Sequence, residues 1–166
     1  MYIKADLSDI LLRDISRINF ELGRTFGYDF IAQELPEAGL GCHPYHITLV
    51  GKVHNLFDNL DSVNHYLGKY QQLCGDILMN PTNQVRITNR GTVLWFVESD
   101  KLKLLGKNIL NELNNPRLSD YTNSQYLHIT LGVCKNKKLY GHTIQMHSDL
   151  FDTLGIYQIK NLGSDY

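Results

Sequence analysis

Hydrophobic residues recur along the chain with two different periods, which separate predicted strands from predicted helices. Residues 1–7 alternate between apolar and polar side chains as in a half-buried strand, and Ser8 stands where a helix cap is expected. The apolar positions of the following helix are Ile10, Leu11, Ile15 and Ile18. The chain therefore begins with a strand followed by a helix.

The middle of the chain predicts a further strand and a second helix. Glycine and proline predict an irregular region from Gly23 to Gly41, and the β-branched run at 45–50 then predicts a strand. A helix is expected to begin at Asn55 or Asp58, because apolar residues at helical spacing follow, and to end near residue 75.

The second half predicts a hairpin, a helix and three more strands. The expected elements are strands at 84–88 and 92–97 joined by the turn Asn89-Arg90-Gly91, a helix at 102–113 stopped by Asn114-Asn115-Pro116, and strands at 126–133, 143–146 and 156–159. No low-complexity stretch or interdomain linker interrupts them. The sequence therefore predicts that residues 1–166 form one domain that contains both strands and helices.

Composition limits the classes of function. The chain is 43% hydrophobic and 20% charged, as is typical of a globular protein, and it has no apolar run long enough to cross a membrane. The N-terminal residues lack the pattern of a secretory signal, so we expect a cytoplasmic protein. The scattered cysteines Cys42, Cys74 and Cys134 form no Cys-x-x-Cys pair and are expected to be reduced thiols.

The balance of charge limits the partners. With 16 basic and 17 acidic residues the formal net charge is −1, so the chain lacks the positive field that drives binding to long nucleic acids. Any nucleic-acid substrate is therefore expected to be short, and the protein is expected to be a monomer. The basic run Lys135, Lys137 and Lys138 is typical of a solvated turn.

One four-residue segment occurs twice, once in each half of the chain. The copies are His46-Ile47-Thr48-Leu49 and His128-Ile129-Thr130-Leu131. Because side chains alternate faces along a strand, each copy presents an imidazole and a hydroxyl together, with its apolar residues behind. A single His-x-Thr is usually a partly buried histidine beside a strand-forming threonine. Two copies in similar settings favour function and suggest a weak internal duplication.

Two histidines and two threonines on facing strands suit phosphodiester cleavage. This reaction needs one proton removed from the attacking oxygen and another delivered to the leaving oxygen. An imidazole has an unperturbed pKa of about 6.5, so near neutral pH one ring can be neutral while the other is protonated. Threonine hydroxyls can donate hydrogen bonds to the phosphate oxygens. The predicted catalytic residues are His46 and His128, and Thr48 and Thr130 are predicted to bind substrate.

With both motifs complete, the chain resembles the 2H phosphoesterase superfamily, whose hallmark is a pair of His-x-Thr/Ser-x motifs. The resemblance implies an α+β, bilobal 2H phosphoesterase fold of the RNA 2′,5′-ligase-like kind, with two pseudo-twofold-related lobes whose antiparallel sheets line a central cleft and helices outside. It also implies a hydrolase without metal or cofactor. Its substrates would be 2′,5′-linked oligonucleotides such as 2′,5′-oligoadenylate, 2′,3′-cyclic phosphates or related nucleotide esters.

The motifs leave the substrate and the roles of the histidines open. They distinguish neither a 2′,5′-linked from a 2′,3′-cyclic substrate nor the acid from the base. Tyr45 and Tyr126 precede the motifs and are predicted to contact substrate by stacking on a base, as aromatic side chains can. Trp95 and Tyr140 also fall near the predicted cleft, although most such aromatic residues belong to the core.

Two other functions are compatible with the sequence. The same scaffold could bind a nucleotide or an RNA end without turnover. A metal-dependent hydrolase is disfavoured, because the offset of His43 from His46 would place them on opposite faces of a strand. The other histidines are expected at the surface: His54, His65, His142 and His147.

Overall fold

The computed structural model describes residues 2–41, 43–51, 60–113 and 127–165, which adopt an α+β fold. The strands are β1 (Tyr2–Leu7), β2 (Phe30–Ala32), β3 (His46–Val50), β4 (Leu78–Ile87), β5 (Thr92–Glu98), β6 (Leu127–Cys134), β7 (Thr143–Gln145) and β8 (Tyr157–Asp165). The helices are α1 (Asp9–Phe26), α2 (Leu60–Gln71), α3 (Asp100–Leu113) and α4 (Asp149–Asp152). The strands pair antiparallel, and the predicted α+β class is confirmed.

The order of the strands brings the two copies of the motif next to each other. β3 and β6, which carry them, are neighbours in the sheet. β6 continues to β5 and β4 on one side, and β3 continues to β1 and β8 on the other. β2 adds to β6, β7 adds to β4, and β4 also pairs with β8. Segments from the two halves of the chain thus form the centre of the sheet.

Helix α1 begins where the sequence predicts. The Ser8 hydroxyl accepts a hydrogen bond from the Leu11 backbone N–H at 3.3 Å and so satisfies one of the donors at the helix start. The predicted apolar face is partly wrong, because Ile10 is 58% exposed and the buried face instead continues to Leu22. The helix also continues past Gly23, since a helical glycine costs only about 1 kcal/mol and tertiary packing can offset that cost.

Strand β2 lies in the region predicted to be irregular. It pairs with the end of β6, where Ile31 lies opposite Val133 and Ala32 lies opposite Gly132. A Cβ at Gly132 would collide with the carbonyl oxygen of Ile31, so only glycine permits this close approach. The strand depends on a pairing between distant segments, which local periodicity does not reveal.

Strands β4 and β8 are longer than predicted. β4 begins at Leu78 rather than at residue 84, and β8 continues to Asp165 rather than ending at residue 159. The register of β8 against β1 shifts beside Lys160, so the buried positions change phase and simple alternation underestimates the strand. The segment between β7 and β8 contains the short helix α4.

Helices α2 and α3 agree with the apolar spacing that predicted them, as far as they are described. Several predictions fall outside the described residues. These are the helix start at Asn55 or Asp58, the stop at Asn114-Asn115-Pro116, and the residues Cys42, His54 and Tyr126.

The buried apolar side chains of the described residues form one cluster. Cys74 and Cys134 belong to it as free thiols, and burial raises the pKa of both, so they stay protonated. None of the described helices is long and apolar enough to span a membrane.

Candidate active site

Strands β3 and β6 meet at an antiparallel pair of isoleucines. Ile47 lies opposite Ile129, and both side chains are fully buried. The positions on either side of each isoleucine are half-buried, and they are the histidines and threonines of the two motifs. Burial therefore alternates along both strands as a strand with one covered face requires.

Counted outward from this isoleucine pair, His46 falls beside Thr130, and Thr48 falls beside His128. Side chains that are diagonal neighbours on one face of an antiparallel pair lie about 7–8 Å apart. The two histidines stand in this diagonal relation. The structure thus brings all four predicted motif residues to one face of the sheet.

Both motif strands carry the same irregularity beside the motif. In the β1–β3 ladder the register shifts immediately before Lys4, and in the β5–β6 ladder it shifts immediately before Leu94. In each case the leucine of the motif, Leu49 or Leu131, is the extra residue. Such bulges bend a strand and re-aim the side chains next to it, and they are common beside active sites.

The ring of His46 is oriented by the residue two positions earlier. Its Nδ1 lies 2.8 Å from the carbonyl oxygen of Pro44, which can only accept a hydrogen bond. Nδ1 therefore carries the hydrogen, and in the neutral ring the basic lone pair is on Nε2. This contact leaves Nε2 as the basic nitrogen of the neutral His46 ring.

The loop that leads into the first motif is tied to the strand of the second. Gln33 is 5% exposed, and its side-chain amide donates to the carbonyl of His43 at 2.8 Å. Its backbone N–H donates to the carbonyl of Leu131, also at 2.8 Å. Gln33 thus connects the residues before His46 to β6.

The hydroxyl of Tyr45 is held between two polar side chains. It donates to the carboxylate of Glu34 and accepts from the Asn19 amide at 2.8 Å. Burial, followed by the hydrogen bond to Glu34, raises the pKa of this hydroxyl, so it stays protonated. Tyr45 therefore links α1 to the loop before β3. Its contact with substrate stays a prediction, and Tyr126 lies outside the described residues.

Beside β3, strand β1 places two charged side chains on the motif face. Lys4 lies opposite Thr48 in the ladder, and Asp6 lies opposite His46. Lys4 Nζ is 3.6 Å from Asp6 Oδ1, and Asn161 on β8 donates to Asp6 Oδ2 at 2.9 Å. This flank of the motif pair is polar and charged.

Beside β6, strand β5 places two apolar side chains in the corresponding positions. Leu94 lies opposite Thr130, Phe96 lies opposite His128, and both are half-buried. A cation on this side, Arg86 of β4, lies opposite Leu94 and thus one strand farther out. The side chains next to the motif on this flank are therefore uncharged.

The other aromatic residues predicted near the site face elsewhere. Trp95 is fully buried, donates from Nε1 to the carbonyl of Thr82 at 2.8 Å and packs edge-on against Phe151. The Tyr140 hydroxyl lies against the glycine of the β4–β5 turn, where it leaves no room for a Cβ. Trp95 belongs to the core, as most such residues do.

The remaining polar residues singled out in the sequence are at the surface. His65, His142 and His147 are exposed as predicted, and so is His43. Lys135, Lys137 and Lys138 are exposed at a turn of 3₁₀ helix, as predicted. In the described part of the chain, no group of three or more His, Cys, Asp or Glu side chains is arranged to hold a metal ion.

The neighbours of the motif on β1 and β5 were not identified from the sequence. Lys4 and Asp6 alternate with buried residues of β1, which is also the pattern of any strand with one polar face. Leu94 and Phe96 form the same kind of pair in β5. Their place beside the motifs follows from strand pairing, and the alternation was the only local signal.

Comparison with protein-family models finds no match, and a search of curated proteins finds none either. The crystal structure of TT0787 of Thermus thermophilus is similar to this chain, with a TM-score of 0.59. The two chains are 11% identical, and the similarity covers 97% of this chain and 84% of the other. At this identity it concerns the fold alone.

Proposed function

We propose that this chain is a metal-independent 2H-type phosphodiesterase that uses His46 and His128 as its acid and base. The observation that carries the proposal is the pairing of β3 with β6 through Ile47 and Ile129. This pairing sets two His-x-Thr segments side by side, with their polar side chains on one half-buried face.

The two imidazoles divide the proton transfers of phosphodiester cleavage. A neutral ring removes the proton from the attacking oxygen, and a protonated ring delivers one to the leaving oxygen. Because the histidines lie diagonally across the β3–β6 pair, they can address a phosphate between them from two sides, as an in-line displacement requires. At His46 the exchanging atom is Nε2, because Nδ1 donates to the Pro44 carbonyl. The direction in which the substrate lies decides which histidine is the base.

Thr48 and Thr130 hold the phosphate between the histidines. Each hydroxyl stands beside the histidine of the opposite strand and donates to a non-bridging phosphate oxygen. Negative charge increases on these oxygens as the reaction proceeds, so donors placed beforehand favour the transition state.

The proposal includes the two-lobed architecture of the 2H superfamily. An antiparallel pair relates its two strands by a local twofold axis, here between Ile47 and Ile129. The bulge at the motif leucine recurs on both sides of this axis. Both features support two similar halves that meet at the site.

The proposed substrates are short esters of the RNA type, either a 2′,5′-linked oligonucleotide such as 2′,5′-oligoadenylate or a 2′,3′-cyclic phosphate. Leu94 and Phe96 support this choice, because half-buried apolar and aromatic side chains beside the motif can receive a nucleotide base. The net charge of −1 suits a short substrate better than a polymer.

A turnover assay on 2′,5′-oligoadenylate and 2′,3′-cyclic adenosine phosphate tests the proposal, with binding measured on the same ligands. His46→Ala and His128→Ala should each lower kcat by about 10²–10⁴-fold, because each removes one proton transfer. His65→Ala, which changes an exposed histidine of α2, is the matched control and should keep wild-type activity.

Circular dichroism and thermal melting of each variant establish that the fold is intact. Wild-type turnover in either motif variant would contradict the proposal. Binding of these ligands by the wild type without turnover would instead indicate a binding module.

A further inference from the structure

Gln33 is a buried polar residue that belongs to neither motif. It follows β2 directly and is 5% exposed. Glutamine is mostly exposed in proteins, because burial of its amide costs free energy unless hydrogen bonds within the protein replace those to water. The amide of Gln33 therefore has a role other than the filling of space.

The two hydrogen bonds of Gln33 connect the two motif strands. Its backbone N–H donates to the carbonyl of Leu131, the extra residue of the bulge in β6, at 2.8 Å. Its side-chain amide donates to the carbonyl of His43, just before the first motif, also at 2.8 Å. The backbone bond fixes Gln33 relative to the second motif, and the side-chain bond fixes the segment before His46 relative to Gln33.

Pro44 carries this restraint from His43 to the ring of His46. The peptide plane that contains the His43 carbonyl extends to Cα of Pro44, and the proline ring fixes φ of Pro44. Only ψ of Pro44 can therefore turn between the anchored His43 carbonyl and the carbonyl of Pro44. The Pro44 carbonyl oxygen lies 2.8 Å from Nδ1 of His46. Gln33 thus limits where the acceptor for this imidazole can lie.

A second contact anchors the other side of Pro44. Glu34 follows Gln33 directly and accepts a hydrogen bond from the hydroxyl of Tyr45. The same hydroxyl accepts from the Asn19 amide at 2.8 Å. Gln33 and Glu34 therefore hold the residues on either side of Pro44. If the side-chain bond of Gln33 alone is removed, the Tyr45 contact should keep the segment folded while ψ of Pro44 becomes free to change.

We propose that Gln33 is a positioning residue, which holds the Pro44 carbonyl at Nδ1 of His46 and so keeps Nε2 as the nitrogen that exchanges a proton with the substrate. This inference rests on the proposed function for the role of Nε2. It makes the orientation of His46 depend on the strand that carries His128, because Gln33 is bound to Leu131 of that strand. Gln33 acts on the reaction only through His46.

The first test is the tautomer of His46, which NMR measures without substrate. Two-bond ¹H–¹⁵N correlation spectra at alkaline pH, where the ring is neutral, show which nitrogen carries the hydrogen, and the signals absent from His46→Ala assign His46. The wild-type ring should carry its hydrogen on Nδ1. Gln33→Met keeps the length of the side chain and has no donor. In this variant the ¹⁵N shifts of the two ring nitrogens should move toward each other, as in a mixture of both tautomers.

The second test is kinetic. Gln33→Met should lower kcat on a 2′,5′-linked adenylate dimer by about 10–100-fold, because a displaced imidazole loses the geometry of proton transfer. KM should change little, since the groups proposed to bind the phosphate and the base stay in place. Gln33→Glu is similar in size and, when ionised, accepts hydrogen bonds without donating them. It should therefore show the same loss of kcat, and it replaces Gln33→Met if that variant does not fold.

Gln71→Met is the matched control. The half-buried side chain of Gln71 in α2 also donates to a backbone carbonyl, that of Leu162 in β8, at 2.6 Å. Thermal melting should show that both methionine variants are less stable than the wild type. The His46 tautomer and kcat should change only in Gln33→Met. Equal changes in Gln71→Met would contradict the inference, because a general loss of stability would then explain them.

A wild-type His46 ring that carries its hydrogen on Nε2 when neutral overturns this inference, and that measurement needs no variant to fold. A wild-type tautomer or a wild-type kcat in a folded Gln33 variant overturns it as well, and both results leave the proposed function standing. Absence of turnover by the wild type overturns the proposed function instead. The tautomer spectra then still show whether Gln33 orients His46.

Discussion

The two flanks of the motif pair are alike in backbone and different in chemistry. On each flank a strand pairs with a motif strand, shifts register at the motif leucine and places two side chains beside the histidine and threonine. On β1 these side chains are Lys4 and Asp6, and on β5 they are Leu94 and Phe96. The arrangement is symmetric at its centre and asymmetric at its edges.

In the proposed mechanism, this difference separates the residues that catalyse the reaction from those that orient the substrate. A symmetric pair of histidines does not choose which side of a phosphate receives the acid and which the base. Two different flanks can choose, because only the apolar one offers half-buried side chains on which a nucleotide base can stack. We therefore expect changes at the centre to affect kcat on every substrate, and changes at a flank to affect discrimination between substrates.

The largest effect is expected from the histidines. Their pH profiles test whether both are required and which of them is the base. The wild-type kcat/KM should be bell-shaped in pH with a maximum at about pH 6 to 7.5, because one imidazole acts neutral and the other protonated. The base controls the limb that rises with pH, and the acid controls the limb that falls. Measured on His46→Ala and His128→Ala, the residual profiles should each lose a different limb. A wild-type profile that rises steadily into alkaline pH would contradict the mechanism.

The next effect is expected from the threonines. Thr48→Ala and Thr130→Ala should each lower kcat/KM by about 10–100-fold, less than the histidine changes, because water can replace part of a lost neutral hydrogen bond to phosphate. Steady-state kinetics of both variants on the same 2′,5′-linked adenylate dimer measures these losses. Losses equal to those of the histidine variants would indicate that the threonines have a role beyond hydrogen bonding to the phosphate.

A smaller effect is expected from the apolar flank. Phe96→Ala should raise KM about tenfold with little change in kcat, because base stacking on an aromatic ring is lost while the proton transfers stay. Phe20→Ala, at a 68% exposed phenylalanine of α1, is the control. A fall in kcat at constant KM would indicate that Phe96 acts in the chemical step. It would contradict the expectation that flank residues affect only the choice of substrate.

No effect is expected from removal of metal ions. In the proposed mechanism two imidazoles supply both proton transfers, so no metal-bound hydroxide is needed. Turnover measured after dialysis against excess EDTA should equal that of untreated protein. A loss that zinc or magnesium restores would replace the two-histidine mechanism.

The centre of the site could be predicted from the sequence because its signals are local. Period-two alternation identified the strands around His46 and His128, and the repeated segment identified the residues that share a face. Ser8 gave the start of α1 correctly for the same reason, since a cap is a property of a few adjacent residues.

The flanks could not be predicted because their signals are not local. Lys4 stands beside Thr48 only through the pairing of β1 with β3, and Phe96 stands beside His128 only through that of β5 with β6. The bulge at Lys160 likewise changes the phase of the apolar alternation, so that alternation identified only the first part of β8. Pairing partners and bulges depend on the whole sheet, which periodicity in one segment does not describe.

The pairing of Ile47 with Ile129 has a consequence for how the proposed site forms during folding. The two residues belong to opposite halves of the chain, and contacts between such distant segments have a high entropic cost and tend to form slowly. A partly folded chain with only β1, α1 and β3 in place would hold a single histidine of the pair. The return of the proposed turnover during refolding would therefore report when β3 pairs with β6.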